Sequence, residues 1–137
     1  MTKLIRRAIA ALAVGGFALA VTIGGATAKP TVDDWETADI MKKVNGKKGS
    51  IPKVVAAAKD GKWDVAEKET ENLKHAKDLS KNKPNKGDQA VWDKLAKAYG
   101  ENVGAMVLAI EKKDKDGVDR AAKAVNGACK TCHDGHK

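Results

Sequence analysis

The sequence holds one tyrosine, one phenylalanine and three prolines in 137 residues. With so few aromatic residues, no segment shows the two-residue alternation of a half-buried strand. No internal repeat appears. No Ser/His/Asp set, glycine-rich phosphate loop or pair of carboxylates in an apolar run stands out, so there is little to support enzymatic catalysis. Beyond residue 28 the only arginine is Arg120, and no later segment is apolar enough to cross a membrane. Ala, Lys, Asp and Glu abound instead, which is a helical composition.

The two cysteines are the only ones in the chain, so neither has another partner competing for it. They stand in Cys129-Lys130-Thr131-Cys132-His133, the spacing of a covalent c-type haem attachment site. In that chemistry the two thiols become thioethers on the haem vinyl groups, and the next histidine becomes the proximal iron ligand. Two other readings stay open. Cys129, Cys132, His133 and His136 offer thiolate and imidazole ligands for zinc, although consecutive Cys132 and His133 converge poorly on one ion. A Cys-x-x-Cys redox dithiol would require a strand-to-helix junction, whereas this pair lies in an alanine-rich run.

Haem attachment of this kind implies export, and the start of the sequence agrees. Lys3, Arg6 and Arg7 precede an apolar stretch from Ala8 to about Ile23, and Ala26-Thr27-Ala28 is a small-residue cleavage signal. The expectation is a signal peptide over residues 1–28, cleaved near Ala28, and one periplasmic haem domain over residues 29–137 with no membrane segment. An uncleaved anchor is the competing reading, against which the glycines and the alanine motif weigh. The leader carries three of the 26 basic residues and none of the 18 acidic ones. The domain therefore keeps a formal excess of five positive charges. Such a face suits encounters with an acidic redox partner, and nothing invokes nucleic acid.

The apolar pattern predicts four helices. Trp92, Leu95, Tyr99, Val103, Met106 and Ile110 recur in steps of three and four between Asp88 and Lys113, with Asp88 as N-cap. A last helix from Asp116 carries Val118, Ala122, Val125, Cys129 and Cys132 on one face, with His133 one turn after Cys129. A segment from Trp63 to about Ser80 has a weaker stripe of Ala66, Leu73 and Ala76. The first helix spans Val32 to Lys59 with Met41, Val44, Lys48, Ile51, Val55 and Ala58 as its stripe, and a bend is expected where Gly46, Gly49 and Pro52 fall. Four such helices joined by short polar loops pack as an all-α, antiparallel up-down-up-down bundle around a cofactor.

An exported chain of this length, with four amphipathic helices and its haem motif in the last of them, resembles the class II cytochromes c, the cytochrome c prime family. The resemblance covers essentially all of residues 29–137 and implies one covalent haem c. In that family the proximal histidine is followed by an aromatic and a basic residue; here Lys137 matches the basic one, and His136 stands where an aromatic is usual. Family members often pair as homodimers through their first two helices.

The sixth iron position separates two functions. In low-spin members of the family a methionine of the first helix fills it, and Met41 looks like that residue, which implies an electron carrier with His133 and Met41 as iron ligands. If Met41 is only packing, the resemblance implies a five-coordinate cytochrome c prime that binds small gases such as nitric oxide or carbon monoxide. Met106 reads as packing at the haem edge, His75 as a surface or capping residue, and Trp35, Trp63, Trp92 and Tyr99 as core or haem packing.

Overall fold

The computed structural model describes residues 34–136. The expected signal peptide, its cleavage point and Lys137 lie outside the described residues. Those described are all helical in their regular structure, with four main helices in an arrangement compatible with a four-helix bundle.

Helix α1, Thr37–Ile40, runs directly into a π-helical stretch, Met41–Asn45. The chain then turns at residues 46–49 and resumes as α2, Ser50–Lys59. The bend falls where the sequence predicts it, but glycine rather than proline causes it. A Cβ on Gly46 would stand 2.4 Å from the Lys42 carbonyl oxygen, and one on Gly49 would stand 2.6 Å from that of Val44. Pro52 sits in the first turn of α2, where its missing N–H costs nothing. The break also resets the helical phase: Ile51, Val54, Ala57 and Ala58 face the core, Val55 is only half-buried, and Lys48 is exposed in the turn. One unbroken stripe from Met41 to Ala58 is therefore not what forms.

Helix α3, Trp63–Lys74, tightens into a 3-10 turn over His75–Lys81. Ala66, Leu73 and Ala76 are buried as expected, and Leu79 extends their stripe. Helix α4, Gln89–Glu111, begins at Asp88, whose Oδ1 accepts the Val91 N–H at 3.0 Å, a side-chain N-cap. Helix α5 is Lys115–His136. Both tight helix-to-helix turns close as Schellman motifs. After α2, Gly61 and Lys62 donate to the Ala58 and Ala57 carbonyls; after α4, Lys113 and Asp114 donate to those of Ile110 and Ala109. The left-handed position is Gly61 in the first and Lys113 in the second.

Cross-helix contacts fix the directions. Ser50 bonds to Glu69 and Asn72 near opposite ends of α2 and α3, and the Lys115 ammonium reaches the Lys59 carbonyl between α5 and α2. Trp92 meets His136 at one end of α4 and α5, while Gly117 approaches Ala109 at the other. Neighbouring helices therefore run antiparallel, and α5 returns to α2. Ile40, Val44, Val54, Leu73, Leu79, Val103, Met106, Ile110, Val118 and Val125 are essentially inaccessible to solvent and form the shared core. Each side chain of that size contributes roughly 1.5–3 kcal/mol by leaving water. No described helix is long and apolar enough to cross a membrane.

Candidate functional site

The final turns of α5 carry Cys129, Cys132 and His133. Both thiols are free and half-buried. The Cys129 thiol donates to the Val125 carbonyl at 3.4 Å, and Cys132 packs against the edge of the core. Burial, and then the neighbouring Cys129, push the Cys132 thiol above its ordinary range. A reactive redox thiolate is normally stabilised by the positive end of a helix, whereas these two stand at the negative end. The surroundings of Cys132 thus favour its thiol form. His133 lies beside them and is exposed.

A small cavity of about 30 Å3 lies against this face of α5, bordered by Met41, Asn45, Leu79, Leu95, Tyr99, Val125, Ala128, Cys129, Cys132 and His133. The structure thus brings Met41, from the far end of the domain's sequence, to the same space as the three residues of the α5 motif. The π-helical stretch that begins at Met41 is a wide turn of a kind found often at functional sites. It sets Asn45 so that its side-chain N–H donates to the Met41 sulfur at 3.6 Å and to the Tyr99 hydroxyl oxygen at 2.7 Å. Burial pushes the Tyr99 hydroxyl up to about 12, so it stays neutral.

A wider cleft of about 580 Å3 shares Met41, Cys132 and His133 with the small cavity. Its other walls are the start of α1 from Glu36 to Ala38, the loop residues Asn82, Lys83 and Asn85, Trp92 and His136. Its volume falls within the range of about 300–1,000 Å3 typical of small-molecule and cofactor sites. Residues able to add to vinyl groups and a nitrogen ligand stand at one junction, with an apolar cavity on one side and a cleft on the other. That donor set fits a covalently attached haem.

His136 behaves differently from His133. It is buried, its Nδ1 lies 3.2 Å from the Lys86 carbonyl oxygen, and its ring meets Trp92 edge-on at 5.8 Å between centroids. It therefore packs as an aromatic ring would at this position. Among the described residues no three His, Cys, Asp or Glu side chains gather as a metal-ligand group, so the zinc arrangement of Cys129, Cys132, His133 and His136 is not formed.

The remaining candidates separate cleanly. Met106 is fully buried in the core and does not border the small cavity. His75 stacks on Trp35 and pairs with Asp78, and it borders neither the small cavity nor the cleft. Arg120 is exposed and pairs with Asp114 at the opposite end of α5. Asn45 is the residue that sequence reasoning passes over. Its one signal is its place four residues after Met41, which only the turn geometry turns into a contact. No protein-family model, curated protein or solved structure matches this chain.

Proposed function

We propose that the chain is an exported, periplasmic monohaem c-type cytochrome of the cytochrome c prime kind that carries electrons. Cys129 and Cys132 would be the thioether anchors, and His133 and Met41 the two axial ligands. The observation that supports this most is that all four side chains border one cavity. Histidine and methionine together give haem iron a one-electron couple suited to electron transfer.

The chain's own residues have definable tasks in this reading. The two thiols lie three residues apart on one face of α5, so both attachment points would be fixed by one rigid helix. Leu79, Leu95 and Val125 give the Met41 side apolar walls, and a less polar setting would raise the weight of every charge interaction there. Lys83, an exposed residue of the cleft wall, adds to the basic surface that would meet an acidic redox partner.

A second reading rests on Met41 itself. Its sulfur already accepts the Asn45 N–H at 3.6 Å; held there as packing, it would leave the sixth position open to nitric oxide or carbon monoxide.

The test is full-length protein matured in a haem-attaching bacterial periplasm, examined by mass and by absorption. The electron-carrier reading expects one haem added covalently to a chain shortened by the leader. It also expects low-spin bands with a sulfur-to-iron charge-transfer feature. A high-spin spectrum that shifts on adding carbon monoxide supports the gas-binding reading instead. A colourless chain of unmodified mass rejects both.

A further inference from the structure

The amide of Asn45 carries two N–H bonds, and in this fold its nitrogen donates to the Met41 sulfur at 3.6 Å and to the Tyr99 hydroxyl oxygen at 2.7 Å. Tyr99 is held by α4 and is only 7% exposed, so it is a fixed point rather than a mobile partner. The backbone beneath Asn45 is equally constrained. Residues 41–45 form the π-helical turn, and the following Gly46 and Gly49 approach the Lys42 and Val44 carbonyls too closely to admit a side chain. Asn45 is thus clamped from both ends with its donor aimed at a thioether. A half-buried amide would ordinarily turn to water, a carbonyl or a carboxylate, which are stronger acceptors than sulfur.

We infer that Asn45 is a positioning residue for the Met41 thioether: its hydrogen bond fixes the sulfur's orientation toward the cavity and raises the reduction potential of the site that sulfur completes. The inference rests on the proposal that Met41 is an axial ligand. A thioether sulfur has two lone pairs, and a hydrogen bond on one leaves the other directed elsewhere while drawing electron density from the atom. A poorer donor favours the reduced, less positive metal, and hydrogen bonding to a ligand is one of the protein's established means of tuning a haem potential. Tyr99 acts one step further back by holding the amide in place.

The experiment uses the full chain matured with haem, compared with Asn45→Leu, which keeps the volume and removes the donor, and with Met41→Ala. The expected result is that Asn45→Leu stays low-spin but moves its charge-transfer band and lowers its midpoint potential. At a fixed poise its ratio of oxidised to reduced protein should rise about three- to tenfold, the weight of one hydrogen bond. A low-spin wild type that Met41→Ala makes high-spin, while Asn45→Leu leaves both potential and band in place, overturns this inference and leaves the ligand assignment standing. A wild-type spectrum indifferent to Met41→Ala overturns the ligand assignment and the inference with it. NMR of the reduced wild type gives a check that needs no variant to fold. Both Asn45 side-chain amide protons should exchange slowly and show through-space contacts to the Met41 methyl group and the Tyr99 ring. Rapid exchange without those contacts overturns the inference.

Discussion

Trp35 lies flat on His75, with ring centroids 4.2 Å apart and planes 4° from parallel. The imidazole Nδ1 in turn lies 2.9 Å from Asp78 Oδ2. Asp78 also accepts from Lys81 at 3.1 Å and from the Trp35 backbone, and Lys81 reaches on to Asp34. The chain just before α1 is thus pinned to the 3-10 turn, and Met41 is six residues after Trp35. Burial raises the Asp78 carboxyl, but the bonds from His75, Lys81 and Trp35 outweigh it and hold the group below its ordinary value of 3.8. A carboxyl with a lowered folded pKa adds stability that is complete above its unfolded value and fades as pH falls through the folded one. Acidification below the ordinary aspartate range should therefore release residues 34–45 before the bundle itself. Asp78→Asn should cost about 1–3 kcal/mol at neutral pH and flatten that acid limb. Hydrogen exchange of α1 amides across the acid range is the measurement, and equal acid sensitivity in wild type and variant would contradict it.

Tyr99 is the chain's single tyrosine, so its titration can be followed without interference from another phenol. Burial raises its hydroxyl from 10.0 to about 12. The neutral form is therefore the one the fold prefers. The resulting stability is fully present below the unfolded value near 10.0 and is lost as pH rises toward about 12. Between those limits the domain should lose on the order of 3 kcal/mol. Phenolate absorbance should rise near the ordinary value in the unfolded chain and well above it in the folded one. Coincident midpoints would show that the hydroxyl is open to solvent.

The two Schellman turns make an internal comparison. Gly61 takes its left-handed position with φ of 70°, but Lys113 takes the equivalent place after α4 with φ of 54°. A side chain in that region costs roughly 1–2 kcal/mol, partly offset by glycine's greater freedom when unfolded. Lys113→Gly should therefore stabilise the domain by about 0.5–1 kcal/mol, raising the melting midpoint by a few degrees. A lower midpoint would mean that Lys113 has a compensating contact.

Much of this was legible from the sequence because it depends on local rules. The stripe from Trp92 to Ile110, the Asp88 cap and the α5 face all follow from helical spacing, and they are found there, with Leu95, Cys129 and Cys132 half-buried rather than buried. The first segment was less legible. Two close backbone approaches at Gly46 and Gly49 break the helix and shift its phase, and no count of apolar residues senses a carbonyl 2.4 Å from an absent Cβ. The same limit hid Asn45, a polar residue on an apolar turn whose acceptors are one helical turn and 54 residues away. Met41 could be singled out beforehand through a family resemblance; what the fold adds is that it shares a cavity with Cys129, Cys132 and His133.

Gly87 ties the cleft to the end of α5, and it gives the last prediction. Its φ is 91°, and a Cβ there would stand 2.5 Å from His136 Nδ1 and 2.7 Å from the Gly135 carbonyl oxygen. Gly87→Ala therefore meets both an unfavourable backbone region and two atoms of the opposing helix. If the helix end yields, His136 leaves Trp92 and the Lys86 carbonyl, which it now touches at 3.2 Å. The combined cost should be about 2–3 kcal/mol. The damage should be local, because Cys129 lies nearly two turns back and Val125 anchors α5 beyond it with no solvent exposure. The expected outcome is a lower melting midpoint, with faster hydrogen exchange confined to the last turn of α5 and to the loop before α4. His136→Phe separates the two contributions: it keeps a ring against Trp92, gives up only the Lys86 bond, and should cost no more than about 1 kcal/mol. If His136→Phe proved as damaging as Gly87→Ala, the hydrogen bond rather than the packed ring would be what holds the end of α5 against the cleft.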